Sequence, residues 1–302
     1  MKRKISVSVG IPAYNEEANI KELIRSLLSQ KANTYKLKKI IIVSDGSTDK
    51  TVKKVKEIAD PKVKLIELKT RVGVNLAQNE ILKNAGEDIL VIINADVLPA
   101  SPTFIEEIVK PILLDKKVGL VGGNAFTVPP MTHLERFLGN SHHLKQYMFK
   151  RINKGNNIYL CNGKARAFSQ EFYTQLRWPD NCPEDAYSYL ACIKRGFEFA
   201  FAKKAYVKFR CPKNIKGHIK QSNRYIYGKK KLEEFFPKEF LRQEYYIPKT
   251  IIILTLMKFF ITRPISTVAY LLLNAWIRLM YKIEPKHHSR YDIVTSSKKV
   301  TT

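Results

Sequence analysis

One run of residues combines a predicted strand with groups that can bind a metal ion. Residues 89–93 are five consecutive apolar residues, and Asn94-Ala95-Asp96 follows them directly. A continuous, mostly β-branched run predicts a strand buried on both faces, as in a parallel sheet, and ligands of such sheets bind beyond the carboxyl ends of the strands. A carboxylate there suits Mg²⁺, which is held by one or two carboxylates plus substrate phosphates. The position fits equally well a turn or helix N-cap, so both readings of Asp96 stay open.

Two neighbouring acids, Glu184 and Asp185, precede a predicted helix over residues 186–195, which stops at Gly196. Carboxylates in a first helical turn offset the helix dipole. A carboxylate can also act as a general base that takes a proton from an attacking hydroxyl group. The residue types alone permit both roles.

Strands and helices alternate four times in the first hundred residues. The predicted strands cover residues 5–11, 40–43, 63–68 and 89–94, and each one leads into a polar loop. This series predicts βαβ units around a parallel sheet. No G-x-G-x-x-G follows the first strand, which disfavours a Rossmann dinucleotide fold, and the lack of G-x-x-x-x-G-K-[S/T] excludes a P-loop ATPase.

Composition limits the possible partners and compartment. The 302 residues suffice for one large α/β domain plus an appendage. The net charge is +26, of which residues 213–302 contribute +12 (18 Lys and Arg against 6 Asp and Glu), a bias that favours anionic partners. Four cysteines without a C-x-x-C pair predict reduced thiols. The basic start, residues 1–4, lacks the apolar region of a signal peptide, so we expect the N-terminal part in the cytoplasm.

Five loop sequences together resemble family 2 glycosyltransferases, which are inverting enzymes of the GT-A fold. The resemblance covers roughly residues 6–225. It rests on residues 12–17 (PAYNEE), 43–51 (VSDGSTDKT), 94–96 (NAD), 183–185 (PED) and 221–225 (QSNRY). It implies an α/β fold with a mixed, mostly parallel sheet flanked by helices. We therefore expect a GT-A domain over residues 1–236 and a basic, apolar, helical segment that associates with membranes over residues 237–302.

The resemblance also implies a donor site. Its members would be Pro12, Ala13, Tyr14, Glu16, Asp45, Arg71, Asn94, Gln221, Arg224 and Tyr225. The first loop would form a flat slot for a uracil ring, and Asp45 would accept the imide N–H of that ring. Arg71 would meet the diphosphate. An ordinary turn around residues 12–17 and an N-cap at Asp45 are the structural alternatives.

The metal and catalytic roles follow from the same resemblance. The family's Asp-x-Asp motif reads Asn94-Ala95-Asp96 here, so one negative charge is missing, and Asp96 would be the direct ligand of Mg²⁺ or Mn²⁺. Asp185 of the Glu184-Asp185 pair would be the catalytic base.

Residues 221–225 resemble the Gln-x-x-Arg-Trp motif of processive members, with Tyr225 in place of Trp. Arg224 would stabilise the departing diphosphate and Tyr225 would stack on an acceptor sugar. A basic helix face near a membrane explains the same residues equally well.

Two apolar stretches near the C-terminus, residues 247–261 and 265–281, are separated by Thr262-Arg263-Pro264. Each falls short of the roughly 20 residues that span a bilayer. A short hairpin in the bilayer, interfacial helices and a buried helical pair all remain open, and we favour association with the cytoplasmic face of a membrane.

The predicted function is the transfer of a sugar from a nucleoside-diphosphate sugar, a UDP-sugar, to a lipid-linked or cell-surface glycan. The alternatives are a polyprenyl-phosphate sugar transferase, an inactive homologue, and a basic protein that binds membranes or nucleic acid. The chain carries no recognisable nucleic-acid module, so no nucleic-acid partner is expected.

Overall fold

The computed structural model describes residues 4–283 and 299–300. Its strands are β1 (Ile5–Ala13), β2 (Tyr35–Asp45), β3 (Val63–Leu68), β4 (Ile89–Ile93), β5 (Val97–Pro99), β6 (Val118–Thr127), β7 (Ala165–Ser169) and β8 (Glu198–Phe209). Its helices are α1 (Ile20–Leu28), α2 (Thr51–Lys56), α3 (Val74–Asn84), α4 (Phe104–Leu114), α5 (His133–Phe149), α6 (Gln170–Tyr173), α7 (Glu184–Lys194), α8 (Ile215–Lys231), α9 (Lys238–Glu244), α10 (Lys249–Thr262) and α11 (Pro264–Ile283).

All eight of these strands form one sheet, in the order β3-β2-β1-β4-β7-β6-β8-β5. Strands β1 to β4 are mutually parallel, and β6 and β8 run in the same direction, whereas β7 and β5 are antiparallel to their neighbours. The carboxyl ends of six strands therefore meet at one edge of the sheet, and β7 begins at that same edge. The polar loops that follow these strands lie at this edge, which we call the strand-end edge.

Both faces of the sheet are covered by helices. In β4, Ile89, Val91 and Ile93 pack into one apolar cluster with α1 and α4, while Leu90 and Ile92 pack into a second cluster with α3 and α7. A strand between two covered faces needs an apolar residue at every position, which explains the continuous run. Each fully buried side chain of this size contributes about 1.5–3 kcal/mol.

The structure contains the predicted alternation of strands and helices in the first hundred residues, and sequence reasoning missed β5 and β8. The polar run after β4 is not a simple turn, because β5 follows it at once and pairs with β8. Strand β8 carries lysines at several positions and pairs with β6 and β5, both distant in sequence. All four cysteines are free, as expected for reduced thiols, and all four are buried. Burial raises the pKa to about 12 for Cys182 and Cys192, to about 11 for Cys211, and well above its usual range for Cys161.

The two C-terminal apolar stretches form a helical hairpin, α10 and α11, that packs on α5. Its turn exposes large apolar side chains, with Ile261 and Ile265 81% and 85% exposed. Within residues 4–283, no single helix is long and apolar enough to cross a membrane, although α9 and α10, bent by 40°, pass that test as a pair. The predicted boundary between residues 236 and 237 stays a prediction, and residues 284–298 and 301–302 of the predicted tail lie outside the described residues.

Candidate active site

The carboxylate of Asp45, at the end of β2, forms hydrogen bonds to the loop before α3 at the strand-end edge. One oxygen accepts a hydrogen bond from the backbone N–H of Val72 at 2.6 Å, and the other accepts one from Gly73 at 2.9 Å. The next residue, Gly46, has a φ of +65°, and a Cβ there would lie 2.7 Å from the backbone nitrogen of Arg71. The chain after β2 therefore fits against the loop before α3 only with glycine at this position.

The first loop lies beside this pair of loops. The guanidinium of Arg71 stacks over the ring of Tyr14 at 4.1 Å, which brings two of the predicted donor-site residues together. Pro12 and Ala13 end β1 and are buried in the sheet. The buried carboxylate of Glu16 accepts a hydrogen bond from Asn19 at 3.3 Å, so this side chain also stabilises the turn into α1.

Asn94 and Asp96 follow β4 at the same edge. The backbone N–H of Asn94 donates to the carbonyl of Lys164, the residue just before β7, at 3.0 Å. Burial lowers the pKa of the Lys164 ammonium group, while the negative charges of Asp96 and Asp185 act in the opposite direction. Lys164 therefore interacts electrostatically with both the predicted metal ligand and the predicted base.

The Glu184-Asp185 pair opens α7 at this space. A Cβ on Gly163 would lie 2.6 Å from Oε1 of Glu184 and 3.7 Å from Nδ2 of Asn94, so the glycine lets both side chains approach the loop before β7. Burial and the charge of Asp185 raise the pKa of Glu184, against the opposing effect of Arg166 and Arg224. The Oδ1 atom of Asp185 accepts a hydrogen bond from the backbone N–H of Ala186 at 2.7 Å.

A buried arginine, Arg166, forms hydrogen bonds to the backbone of this pair from the side of the sheet. Arg166, the second residue of β7, is 0% exposed, and its guanidinium donates to the carbonyl of Glu184 at 3.0 Å and to the hydroxyl of Ser188 at 2.9 Å. It also donates to Oε1 of Gln78 on α3 at 3.2 Å. Trp178 donates from its indole N–H to the same Glu184 carbonyl at 2.9 Å. Arg166 therefore fixes the start of α7 against the sheet.

Helix α8 brings the 221–225 motif to the pair. A Cβ on Gly228 would lie 3.3 Å from the ring of Pro183, so α8 packs directly on the turn before α7. The charge of Arg224 acts on Glu184 and on Lys164. Tyr225 is 55% exposed as a whole residue, yet desolvation of its hydroxyl and the charge of Asp185 raise its pKa to about 12. Gln221 lies one turn earlier on the same helix face as Arg224.

The residues at the end of β4 fit a divalent cation that is shared with a ligand. The buried Oδ1 atom of Asn94 has no hydrogen-bond partner among the described residues, and Asp96 adds an anionic oxygen. No group of three or more His, Cys, Asp or Glu side chains in the described ranges is placed to hold a metal alone. Because Mg²⁺ commonly takes one or two protein ligands plus phosphates and water, binding here should depend on a phosphate ligand.

Sequence reasoning missed Lys164 and Arg166. Lys164 precedes β7 and Arg166 lies within it, and only the order of the sheet shows that β7 starts beside the end of β4. A signal for Arg166 was present, because a charged residue between Ala165 and Ala167 in a buried strand needs polar partners.

The raised pKa of Glu184 leads to a pH-dependent stability prediction. Because the folded state raises the pKa of this carboxyl group, the unfolded state loses the proton first as the pH rises. The free energy of unfolding therefore falls from pH 4.5 up to the folded pKa, stays lowered above it, and is unaffected below pH 4.5. Glu184→Gln is therefore expected to unfold at higher urea than the wild type at pH 7.5 and at the same urea at pH 4. The exposed Glu171→Gln on α6 is the matched control and should behave like the wild type at both pH values. A Glu184→Gln protein that is less stable at pH 7.5 would contradict the prediction.

Residues 8–177 match the family model described as "Glycosyl transferase family 2". A Methanococcus voltae UDP-N-acetylglucosamine–dolichyl-phosphate N-acetylglucosaminyltransferase is 36% identical over 129 residues, which is 37% of this chain and 49% of that protein. An Escherichia coli UDP-Glc:alpha-D-GlcNAc-diphosphoundecaprenol beta-1,3-glucosyltransferase is 33% identical over 90 residues, 30% of this chain and 34% of that one. The chain thus spans half or less of the length of these relatives.

Solved structures share the fold. The mannosyltransferase PcManGT from Pyrobaculum calidifontis, in complex with GDP-Man and Mn²⁺, superposes with a TM-score of 0.63 at 20% identity over 94% of this chain and 82% of that one. The glucosyl-3-phosphoglycerate synthase from Mycobacterium tuberculosis, with Mn²⁺, UDP and phosphoglyceric acid, gives 0.54 at 20% identity over 76% and 78%. These likenesses confirm the predicted mixed α/β sheet flanked by helices, as in GT-A proteins.

Proposed function

Because the chain belongs to glycosyltransferase family 2, we propose that it is an inverting transferase that moves a sugar from a UDP-sugar to a lipid-linked or cell-surface glycan. The observation that carries this proposal is the contact of Gly163 at the strand-end edge with both Glu184 and Asn94, which brings the Glu184-Asp185 pair close to the Asn94–Asp96 run. The charges of Lys164 and Arg224 act on these acids. A carboxylate base, a metal-binding acid and two cations for a diphosphate are what such a transfer requires.

The donor would bind across the loops after β1, β2 and β4. Tyr14, stacked by Arg71, offers a flat surface for a base, and Arg71 presents positive charge beside it. Asp45 keeps the loop before α3 in place through its two backbone hydrogen bonds and has lone pairs left for an imide N–H. Lys164 and Arg224 would attract the diphosphate.

Asp185 would act on the acceptor. As the acceptor oxygen forms its bond to the anomeric carbon, the bond from that carbon to the leaving phosphate oxygen breaks, and the hydroxyl proton passes to the Asp185 carboxylate. Arg224 would offset the charge that grows on the leaving nucleoside diphosphate. Asn94 and Asp96 would hold a divalent cation, Mg²⁺ or Mn²⁺, which supplies further neutralisation of the leaving group when bound.

The proposal places the protein on the cytoplasmic face of a membrane. The α10–α11 hairpin presents exposed apolar side chains at its turn, Ile261 and Ile265, and Trp276 along α11 is 46% exposed. Lysines and arginines flank these positions, as in interfacial segments that bind anionic lipids. A lipid-linked acceptor would be reached from this surface.

Polyprenyl phosphate itself is the second candidate acceptor. The likeness to the Methanococcus voltae protein, whose name includes dolichyl phosphate, supports it. Assays with a prenyl phosphate and with a prenyl-diphosphate-linked saccharide would separate the two acceptors, because one product carries the new sugar on phosphate and the other carries it on a sugar hydroxyl.

Donor binding tests the proposal by calorimetry on detergent-purified protein. We expect UDP to bind more tightly with Mn²⁺ than without it, and more tightly than GDP or ADP. Asp96→Asn should lose the Mn²⁺ effect, while the exposed Asp115→Asn should keep it. Preference for GDP would change the donor and keep the transferase. A folded protein that binds no nucleotide would contradict the enzyme and favour an inactive or basic binding protein.

A further inference from the structure

A second recess lies beside the candidate active site. It has a volume of about 750 Å³ and is lined by the end of β6, by α5 and by Arg263 at the break between α10 and α11. Phe209 connects it to the active site, because the Lys164 ammonium group lies 4.2 Å from the centre of its ring and the ring of His142 lies 5.0 Å from it. We refer to this recess as the α5 cavity.

The α5 cavity has a surplus of positive charge. Arg136, Lys150 and Arg263 line it, and no ion pair between described residues involves any of the three. Glu135, the acid among the described lining residues, is neutralised by Arg210 at 3.2 Å, with both side chains almost fully buried. An anion that enters the cavity would therefore meet cations without an opposing carboxylate.

Other groups in the cavity are affected by the same positive charge or have atoms that can form hydrogen bonds. Burial lowers the pKa of His143, and the cations Arg263, Lys150 and Lys258 lower it further. The buried Oε1 atom of Gln146 has no hydrogen-bond partner among the described residues, and it can accept a hydrogen bond from a hydroxyl of a sugar attached to the phosphate. Asn140 accepts a hydrogen bond from Arg263, which holds the guanidinium at the cavity wall.

We propose that the α5 cavity binds the phosphate group of the acceptor substrate. This proposal rests on the proposed function and names the acceptor's binding site. The cavity is lined by the carboxyl end of β6, which lies at the same edge of the sheet as Asp96, and its volume suits a phosphate with an attached sugar. Arg263 lies between two apolar helices, so an amphiphile whose chain follows the α10–α11 hairpin would bring its phosphate to this residue. A lipid phosphate and a soluble phosphate ester share the chemistry that these cations recognise.

Binding of farnesyl phosphate and of glycerol 3-phosphate to the full chain in detergent, without donor or metal, tests the proposal. We expect Arg136→Gln and Lys150→Gln each to weaken binding about tenfold or more, since each removes a charge-assisted contact. Arg136 is exposed and suits the test because its loss should not affect folding. Arg25→Gln, an equally exposed arginine on α1, is the matched control and should bind like the wild type. Ligand binding should also raise the pKa of His143 in an NMR titration.

The ligand series identifies the source of the phosphate. Tighter binding of farnesyl phosphate indicates a lipid acceptor, and tighter binding of glycerol 3-phosphate indicates a soluble ester; both support a phosphate site. If neither ligand binds, or if the cavity variants bind as well as the wild type, the proposal is wrong. Titration of UDP with Mn²⁺ on the same samples separates the two proposals. Retained nucleotide binding without phosphate binding contradicts the cavity alone, whereas phosphate binding without nucleotide binding contradicts the transferase.

Discussion

Asp185→Asn is expected to lower the turnover number by about 10²- to 10⁴-fold, the usual contribution of a general base. Asparagine matches aspartate in size and can still accept the backbone hydrogen bond from Ala186, so the first turn of α7 should keep its shape. It cannot take a proton from the acceptor hydroxyl. Turnover should therefore fall while the dissociation constant for UDP and Mn²⁺ stays within about twofold of the wild type.

Matched measurements separate this loss from a general effect of charge. Asp115→Asn makes the same change at an exposed loop where the aspartate caps the backbone N–H of Lys117, and it should retain full turnover. Single-turnover rates with radiolabelled donor give the chemical step directly. Turnover of Asp185→Asn within threefold of the wild type would remove Asp185 from the mechanism and direct attention to Glu184.

Arg166→Met is expected to cause the largest loss of stability, about 2–4 kcal/mol in the free energy of unfolding. It leaves Oε1 of the buried Gln78 without its donor and removes one charged donor from the Glu184 carbonyl and from Ser188, which keep the indole N–H of Trp178. The guanidinium bridges Gln78 on α3, the Glu184 carbonyl and Ser188 on α7. Its charge also lowers the pKa of Glu184, so the variant should raise that pKa further. Urea unfolding at pH 7.5 and pH 4 measures both effects, and the deficit should be smaller at pH 4.

A double-mutant cycle with Glu184→Gln separates two effects of Arg166: the attraction of its charge to the ionised Glu184 carboxylate, and its packing and hydrogen bonds to the backbone. If the charge of Arg166 stabilises ionised Glu184, Arg166→Met should cost less in the Glu184→Gln background than alone. The exposed Arg177→Met, near the same turn, is the control and should lose less than 0.5 kcal/mol. Equal costs in both backgrounds would show that Arg166 acts by packing and hydrogen bonds to the backbone only.

Sequence reasoning predicted the elements that have an uninterrupted apolar run or a regular apolar period in the sequence. Strand β4 was predictable because two covered faces require an apolar residue at each position. Strand β8 was missed because Lys203 and Lys204 interrupt its pattern and its partners β6 and β5 are remote in sequence. Pairing across such distances depends on the packed sheet and leaves little local pattern.

The candidate active site also contains residues that the local sequence identified and residues that only the assembled sheet reveals. Asp45, Asp96 and Asp185 were identified one by one, since each follows or opens an element with its own pattern. Their assignment to donor, metal and base stays a prediction until it is measured. Lys164 could not be placed beside Asp96 without the sheet order, and the α5 cavity could not be predicted because residues from β6, α5 and the hairpin turn form it together.

The buried cysteines make this protein convenient for chemical labelling. Thiolates react with maleimides and thiols do not, so four shielded sulfhydryl groups with raised pKa values should stay unmodified near pH 7. The variant Ile261→Cys or Ile265→Cys could then be labelled with a single polarity-sensitive dye, and no native cysteine would have to be removed first. The emission colour of that dye, with and without vesicles, would report whether the hairpin turn enters lipid at all.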